Sequence, residues 1–298
     1  MKWFKRVGLF LLVNVLVIVT ISVFLNVVLP LFGVNLNPSS IGGLMVFCAA
    51  WGFGGAFISL FMSKMMAKWM MGVQIINPNS AQPREQELVQ MVYRMAQAAG
   101  LKKMPEVGIY DSDEVNAFAT GPSRNNSLVA VSTGLLNKMS KGEVEGVIGH
   151  EVAHVANGDM VTMTLVTGVV NSFVLFFSRI VARVIANSVD EKISTVVYFA
   201  CTFLFDIVFT ILGSIAIAYF SRLREYRADL GGAQYAGRDK MIAGLRRLQS
   251  LYPQMTPDNG GMATMKISNK PAGVMALFST HPPLEQRIER LQNAVIIR

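Results

Sequence analysis

Hydrophobic and polar positions are segregated along this chain. Between Arg6 and Lys64 no charged residue occurs, a gap of 57 positions (7 to 63) broken near its middle by Pro30, Gly33 and the stretch from Asn35 to Ser40. The pattern predicts two helices joined by a short loop, Val7 to Leu29 and Ile41 to Ser63, each of 23 residues. At about 1.5 Å per residue either one crosses a hydrocarbon core about 30 Å thick. Lys2, Lys5, Arg6, Lys64 and Lys68 flank the pair and none falls in its loop, which puts the N-terminus and everything after Ser63 on the cytoplasmic side. The basic start is also that of a signal peptide, but the apolar run is too long and no alanine precedes Ala49 to form a cleavage site, so it reads as an anchor. Two more runs, Met160 to Ser178 and Ile193 to Phe220, predict a second hairpin. Asn171, Ser172 and Asp206 interrupt it, and Arg179, Arg183 and Lys192 fall on the side that should be poor in positive charge, so burial inside the protein is the competing reading. The expected fate of Asp206 is a Ser or Asn partner within the hairpin rather than a functional intramembrane acid.

Elsewhere the pattern turns globular. Arg84 to Ala99 follows Pro83, carries Leu88, Met91, Val92 and Met95 at helical spacing and stops at Gly100. Glu106 to Tyr110, Asn116 to Thr120 and Leu128 to Val131 read as short strands of a small sheet, separated by turn residues. Ser140 with Glu143 three residues on forms a capping box, opening a helix whose apolar face is Val144, Val147, Ile148, Val152 and Val155 and whose end is Asn157-Gly158. Asp239 to Leu251 and Leu284 to Val295 read as helices, and Pro253 to Gly273 as a loop expected to cover part of a cleft. The organisation expected is a transmembrane hairpin (1–63), a catalytic region (64–159), a second hairpin (160–221) and a second catalytic region (222–298).

Composition narrows the class. Of 298 residues 52% are hydrophobic and 15% charged, too apolar for an ordinary soluble domain and far from disorder. Cys48 and Cys201 both lie in apolar runs and make no disulfide framework. The net charge of +8 is distributed beside the apolar runs, a placement that membrane topology explains and nucleic-acid binding does not. The methionines clustered at Met62, Met65, Met66, Met70 and Met71 read as a flexible apolar stripe rather than a copper site.

The chemistry sits on the capped helix. In His150-Glu151-Val152-Ala153-His154 a spacing of four places two imidazoles on one helix face, close enough to share a Zn²⁺, with Glu151 beside them as general base for water. Chance would produce H-E-x-x-H only about 0.001 to 0.002 times in such a chain. A catalytic zinc needs a third protein ligand and an open position. His281 is the one remaining histidine; Glu225 is the better candidate, sharing a face with Asp229, which could accept the outer N–H of a ligand imidazole. Simple pairing of both acids with Arg222, Arg224 or Arg227 stays open on spacing alone.

With these motifs in order, the chain resembles the HtpX family of bacterial membrane metalloproteases and, more distantly, the type I CAAX prenyl proteases, both gluzincins. The likeness runs through the N-terminal hairpin, Asn116-Ala117-Phe118-Ala119-Thr120-Gly121, the motif from His150 to His154, a second hairpin, the segment from Glu225 to Asp229, and Thr280-His281-Pro282-Pro283. It implies an α-helical membrane protein with an α+β zincin-like domain and about four transmembrane helices. It further implies His150, His154 and Glu225 as ligands of one Zn²⁺, Glu151 as catalytic acid and base, Asn116 lining the substrate cleft and His281 steadying the oxyanion. The implied role is quality control of misfolded membrane proteins at the bacterial inner membrane. Peptides would add as a strand to an exposed edge such as Leu128 to Val131. An intramembrane protease is disfavoured because Lys141, Glu143, Glu145 and Asp159 flank the motif. A CAAX-type processing enzyme and a non-proteolytic scaffold with a structural metal are the alternatives.

Overall fold

The computed structural model describes residue 15 and residues 19–31, 40–251 and 277–295. Part of the first expected span, residues 7–14 and 16–18, and the whole of the loop from Pro253 to Gly273 lie outside the described residues. The chain divides into two compact units, one made of Met1–Ser59 and Met163–Ile217, the other of Leu60–Thr162 and Ala218–Arg298.

The first unit is helical. Its described part contains α1 (Val19–Val28), residues of α2 (Ile41–Met71), most of α6 (Asp159–Ala186) and the first part of α7 (Glu191–Ala236). Among the described residues α2, α6 and α7 are each long and apolar enough to cross a membrane. Small residues set their packing. A Cβ on Gly52 of α2 would lie 2.3 Å from Ser172 Oγ, and one on Gly168 would lie 2.5 Å from Phe53 Cδ1, so only glycine permits the approach of α2 and α6. Ser172, which interrupts the apolar run, and Ser178 at its end donate to the carbonyls of Gly168 and Val174 at 2.7 Å and thereby satisfy themselves within the helix. Asp206 differs from expectation: its partner is Arg179, at 3.9 Å, rather than a Ser or Asn. An opposite charge within reach neutralises the acid, and Arg179 with it.

The second unit is α+β. A four-stranded sheet runs β1-β2-β4-β3, with β1 (Gln74–Ile75) antiparallel to β2 (Glu106–Tyr110), β2 parallel to β4 (Asn126–Ser132), and β4 antiparallel to β3 (Ala117–Ser123). Strand β4 is therefore central, paired on both sides. This corrects the expectation that Leu128 to Val131 offers an open edge; its continuous apolar run is what a strand buried on both faces requires. The outer strands are β1 and β3. Alternation sorts the sheet's side chains: Val107, Ala117, Val129 and Val131 face one core, Tyr110, Phe118, Leu128 and Ala130 another.

Helix α3 (Pro83–Ala98), with proline in its first turn and Gly100 at φ +71° beyond its end, lays Leu88, Val92 and Met95 on the first core. A short α4 (Thr133–Lys138) starts where Ser132 Oγ accepts from the Leu135 N–H at 2.9 Å. Helix α5 (Lys141–Asn157) is fixed at both ends: Glu143 accepts from the Ser140 N–H at 2.7 Å, and Gly158, at φ +71°, terminates it. Its apolar stripe packs on that core through Val144, Val147, Ile148 and Val152. The last part of α7, α8 (Arg238–Leu251) and α9 (Leu284–Asn293) share a third cluster of Ala233, Met241, Leu245, Ile288 and Leu291.

Candidate metal centre

Helix α5 presents His150 and His154 on one buried face, their Nε2 atoms 3.1 Å apart. Opposite them α7 brings Glu225, fully buried, with Oε2 3.2 Å from His150 Nε2 and Oε1 3.3 Å from His154 Nε2. One donor atom from each of the three lies within 4.8 Å of the others. The two helices can approach so closely because they cross on glycine. A Cβ on Gly232 would stand 2.9 Å from the backbone nitrogen of His150, too close for any side chain without a shift of the helix.

The outer ring nitrogens also have carboxylate partners. Asp229 Oδ1 is 3.0 Å from His150 Nδ1, and Asp159 Oδ2 is 2.6 Å from His154 Nδ1. With Nδ1–H donated outward, each ring turns its Nε2 lone pair to the common centre. Arg287 of α9 closes the arrangement: its guanidinium donates from Nε and Nη2 to the two oxygens of Asp229 at 2.9 and 2.6 Å, and Nη2 lies 3.3 Å from His150 Nδ1. Its side chain has no exposed surface, and Nη1, 3.8 Å from Glu225 Oε2, has no hydrogen-bond partner among the described residues. His281 Nδ1 is 2.9 Å from Glu225 Oε2, and Arg224 Nη2 is 3.3 Å from Oε1.

Titration reflects this crowding. Burial, Arg287 and His154 all oppose a proton on His150, yet the hydrogen-bonded carboxylates of Asp229 and Glu225 prevail and hold its pKa above the ordinary histidine range. Burial likewise opposes protonation of His154, but Glu225 and Asp159 lift its pKa to about 9. Burial works to raise Glu225, and the imidazoles of His281, His154 and His150 hold it well below the usual carboxylate range. Burial also works against the charge of Asp229, and Arg287 overrides it, bringing its pKa down to about 2. Two imidazoles and a carboxylate that face one another repel unless positive charge lies among them. The donor set thus fits a divalent cation, and two nitrogens with one carboxylate are a catalytic rather than a closed structural set.

Of the other residues singled out in the sequence, Glu151 is buried on α5 next to His150. Asn116 stands at the head of β3, buried, its backbone N–H donating to Ser132 Oγ and its side-chain Oδ1 without a hydrogen-bond partner among the described residues. Arg224 does pair with Glu225, as spacing alone allowed, whereas Asp229 pairs with an arginine far along the chain. Asp159 and Arg287 were not anticipated. Arg287 had a signal: it falls among Leu284, Ile288 and Leu291 on the apolar stripe of α9, where a solvated arginine does not belong.

An α+β unit carrying H-E-x-x-H on one helix and a facing glutamate on another, in a chain with membrane-crossing helices, defines the class of membrane metalloproteases. Residues 82–295 match Peptidase family M48. The chain is 53% identical over 295 residues to "Protease HtpX homolog" of Bacillus licheniformis, covering 97% of this chain and 99% of that one. It is 52% identical over 299 residues to "Protease HtpX" of Aeromonas hydrophila, with the same coverage. The crystal structure of S. mikatae Ste24p has the same fold at a TM-score of 0.63 and 15% identity, covering 97% of this chain; this chain spans 66% of that one. The chain belongs to peptidase family M48, and it is a membrane-bound metalloprotease.

Proposed function

We propose that the chain is a zinc endopeptidase of the bacterial inner membrane that cuts misfolded or damaged membrane proteins on the cytoplasmic side. In this reading residues 1–63 and 160–221 are membrane hairpins, and residues 64–159 and 222–298 together build the catalytic part. The observation that carries it is the convergence of His150, His154 and Glu225 within 4.8 Å, with Glu151 beside them.

His150, His154 and Glu225 hold the Zn²⁺, with Asp229 and Asp159 fixing the imidazoles from behind. The metal, when bound, polarises water and the scissile carbonyl. Glu151 takes the proton of the attacking water and afterwards passes it to the leaving amine. Asn116 lines the cleft, where its Oδ1, unpartnered among the described residues, can accept from a substrate amide. His281 steadies negative charge on the substrate carbonyl oxygen. A peptide adds as a strand to β3, an outer strand of the sheet, rather than to the central β4.

The test compares zinc content and casein cleavage for detergent-purified native protein and Glu151→Gln. Both should bind about one zinc, and the variant should lose at least about a hundredfold in cleavage rate, the usual scale of general-base catalysis. Equal cleavage by the two proteins would remove Glu151 from the mechanism. Zinc in both with cleavage by neither would favour a structural metal.

A further inference from the structure

His281 comes to the metal centre on a stretch of chain that no regular element supports. Residues 279–283, which precede α9, belong to no helix or strand. The backbone groups of such a stretch have no ladder of partners, so side chains that reach in decide its course. Within it Ser279 Oγ donates to the His281 carbonyl at 2.8 Å, and Pro282 and Pro283 restrict the backbone that follows. These features shape the stretch locally but do not tie it to the helix that carries Glu225.

The tie is Arg222 of α7. Its Nη1 donates to the Ser279 carbonyl at 2.7 Å and to the Leu277 carbonyl at 3.1 Å. The neighbouring acids have other partners: Arg224 pairs with Glu225 and Arg287 with Asp229, and among the described residues Arg222 pairs with no carboxylate. Arg222, Glu225 and Asp229 follow one another at spacings of three and four, so they share a face of one helix. Helix α7 thus acts as a ruler, with the group that holds the His281 stretch about one turn from the glutamate of the metal centre. Set this way, His281 Nδ1 stands 2.9 Å from Glu225 Oε2, which leaves Nε2 as the nitrogen for a substrate oxygen. A donor aimed at developing charge has to be placed closely, because a displacement of about 1 Å can cost about a hundredfold in rate.

We propose that Arg222 is a positioning residue: by holding the carbonyls of Leu277 and Ser279, it places His281 where its imidazole meets the oxyanion of the scissile carbonyl. The inference rests on the reading of His281 as the group that steadies this charge, and adds what puts it there. Arg222 acts through backbone carbonyls and touches no reacting atom.

A double-mutant cycle on the full-length, detergent-purified protein tests it, with zinc content, kcat and KM on a fluorogenic peptide, and amide hydrogen exchange as readouts. His281→Ala should lose about a hundredfold to a thousandfold in kcat, the usual effect of removing one oxyanion donor. Arg222→Met should lose at least about tenfold in kcat while KM stays within about twofold, the split expected of an interaction made only in the transition state. It should still bind about one zinc, and residues 277–283 should exchange faster while α5 exchanges as before. Arg222→Lys, which keeps a cationic donor for the two carbonyls, should recover most of the lost kcat. Added to His281→Ala, Arg222→Met should cost less than about a further twofold, because no imidazole is left to position. Losses that multiply in the double variant, or zinc lost along with activity, overturn the proposal, since a general support of the fold behaves that way. A native kcat in Arg222→Met overturns it while the role of His281 stands. A native kcat in His281→Ala overturns the oxyanion reading first, and the proposal with it.

Discussion

Arg287 is the residue on which the metal centre turns. Two oxygens of Asp229 receive its guanidinium at 2.6 and 2.9 Å, and Asp229 in turn stands 3.0 Å from His150 Nδ1. A planar fork can hold a carboxylate in one orientation, and a carboxylate so held keeps its imidazole from rotating. The guanidinium also supplies positive charge among Asp229 and Glu225, and for that reason it can stay ionised without any exposed surface. Arg287→Met should weaken zinc binding by about tenfold to a hundredfold, the usual effect of removing an outer partner of a metal ligand. Arg287→Lys, which keeps the charge but not the fork, should fall between the two. Competition with a chromophoric chelator measures the affinities; if Met at 287 binds zinc as tightly as arginine, the guanidinium plays no part in orienting His150.

Between elements, the decisive contact is the crossing of α5 and α7 at Gly232, where a methyl group would come 2.9 Å from the His150 nitrogen and 2.9 Å from Met241 Sδ. Gly232→Ala should therefore push the helices apart and lower zinc stoichiometry and thermal stability together. Gly142→Ala, where the new carbon would meet only Lys240 Cγ at 3.9 Å, should be neutral or slightly stabilising, since alanine favours helix by up to about 1 kcal/mol. Thermal unfolding with metal analysis on both proteins separates the cases, and equal behaviour would show that the crossing has slack. The same contrast explains what could be read in the chain beforehand. Helix α5 was legible because its capping box, its stripe and its two histidines are all encoded within 18 residues, Ser140 to Asn157. Strands β2, β3 and β4 were legible as strands, but not their order: whether β4 lies at an edge depends on β2 pairing directly with it and skipping β3, the next strand in sequence, a choice made by distant residues. Asp159, five positions from His154, could have been found from spacing; Arg287, 137 positions from His150, could be suspected only from its place on an apolar stripe.

At the scale of the whole molecule, the unit that holds the centre is discontinuous in sequence: its two stretches, Leu60–Thr162 and Ala218–Arg298, are separated by Met163–Ile217 of the other unit. His150 and His154 come from the first stretch, Glu225, His281 and Arg287 from the second, so an ion bound at the centre ties both together. A ligand that binds only the folded form stabilises it by about 4 kcal/mol when present at a thousandfold excess over its dissociation constant. That stabilisation belongs to the second unit, because all three donors lie in it. The helices of the first unit are held by their own contacts, such as Gly52 against Ser172 and Gly168 against Phe53, and by the membrane itself. Stripping the metal with a chelator should then raise amide hydrogen exchange in peptides covering α5, α8 and α9 by tenfold or more, consistent with loss of more than about 1.4 kcal/mol of local stability. Peptides from Phe47–Ser59 and Val166–Ser178 should exchange as before. If those peptides lose protection to the same degree, the two units open as one cooperative body, and the metal stabilises the membrane helices as much as the catalytic part.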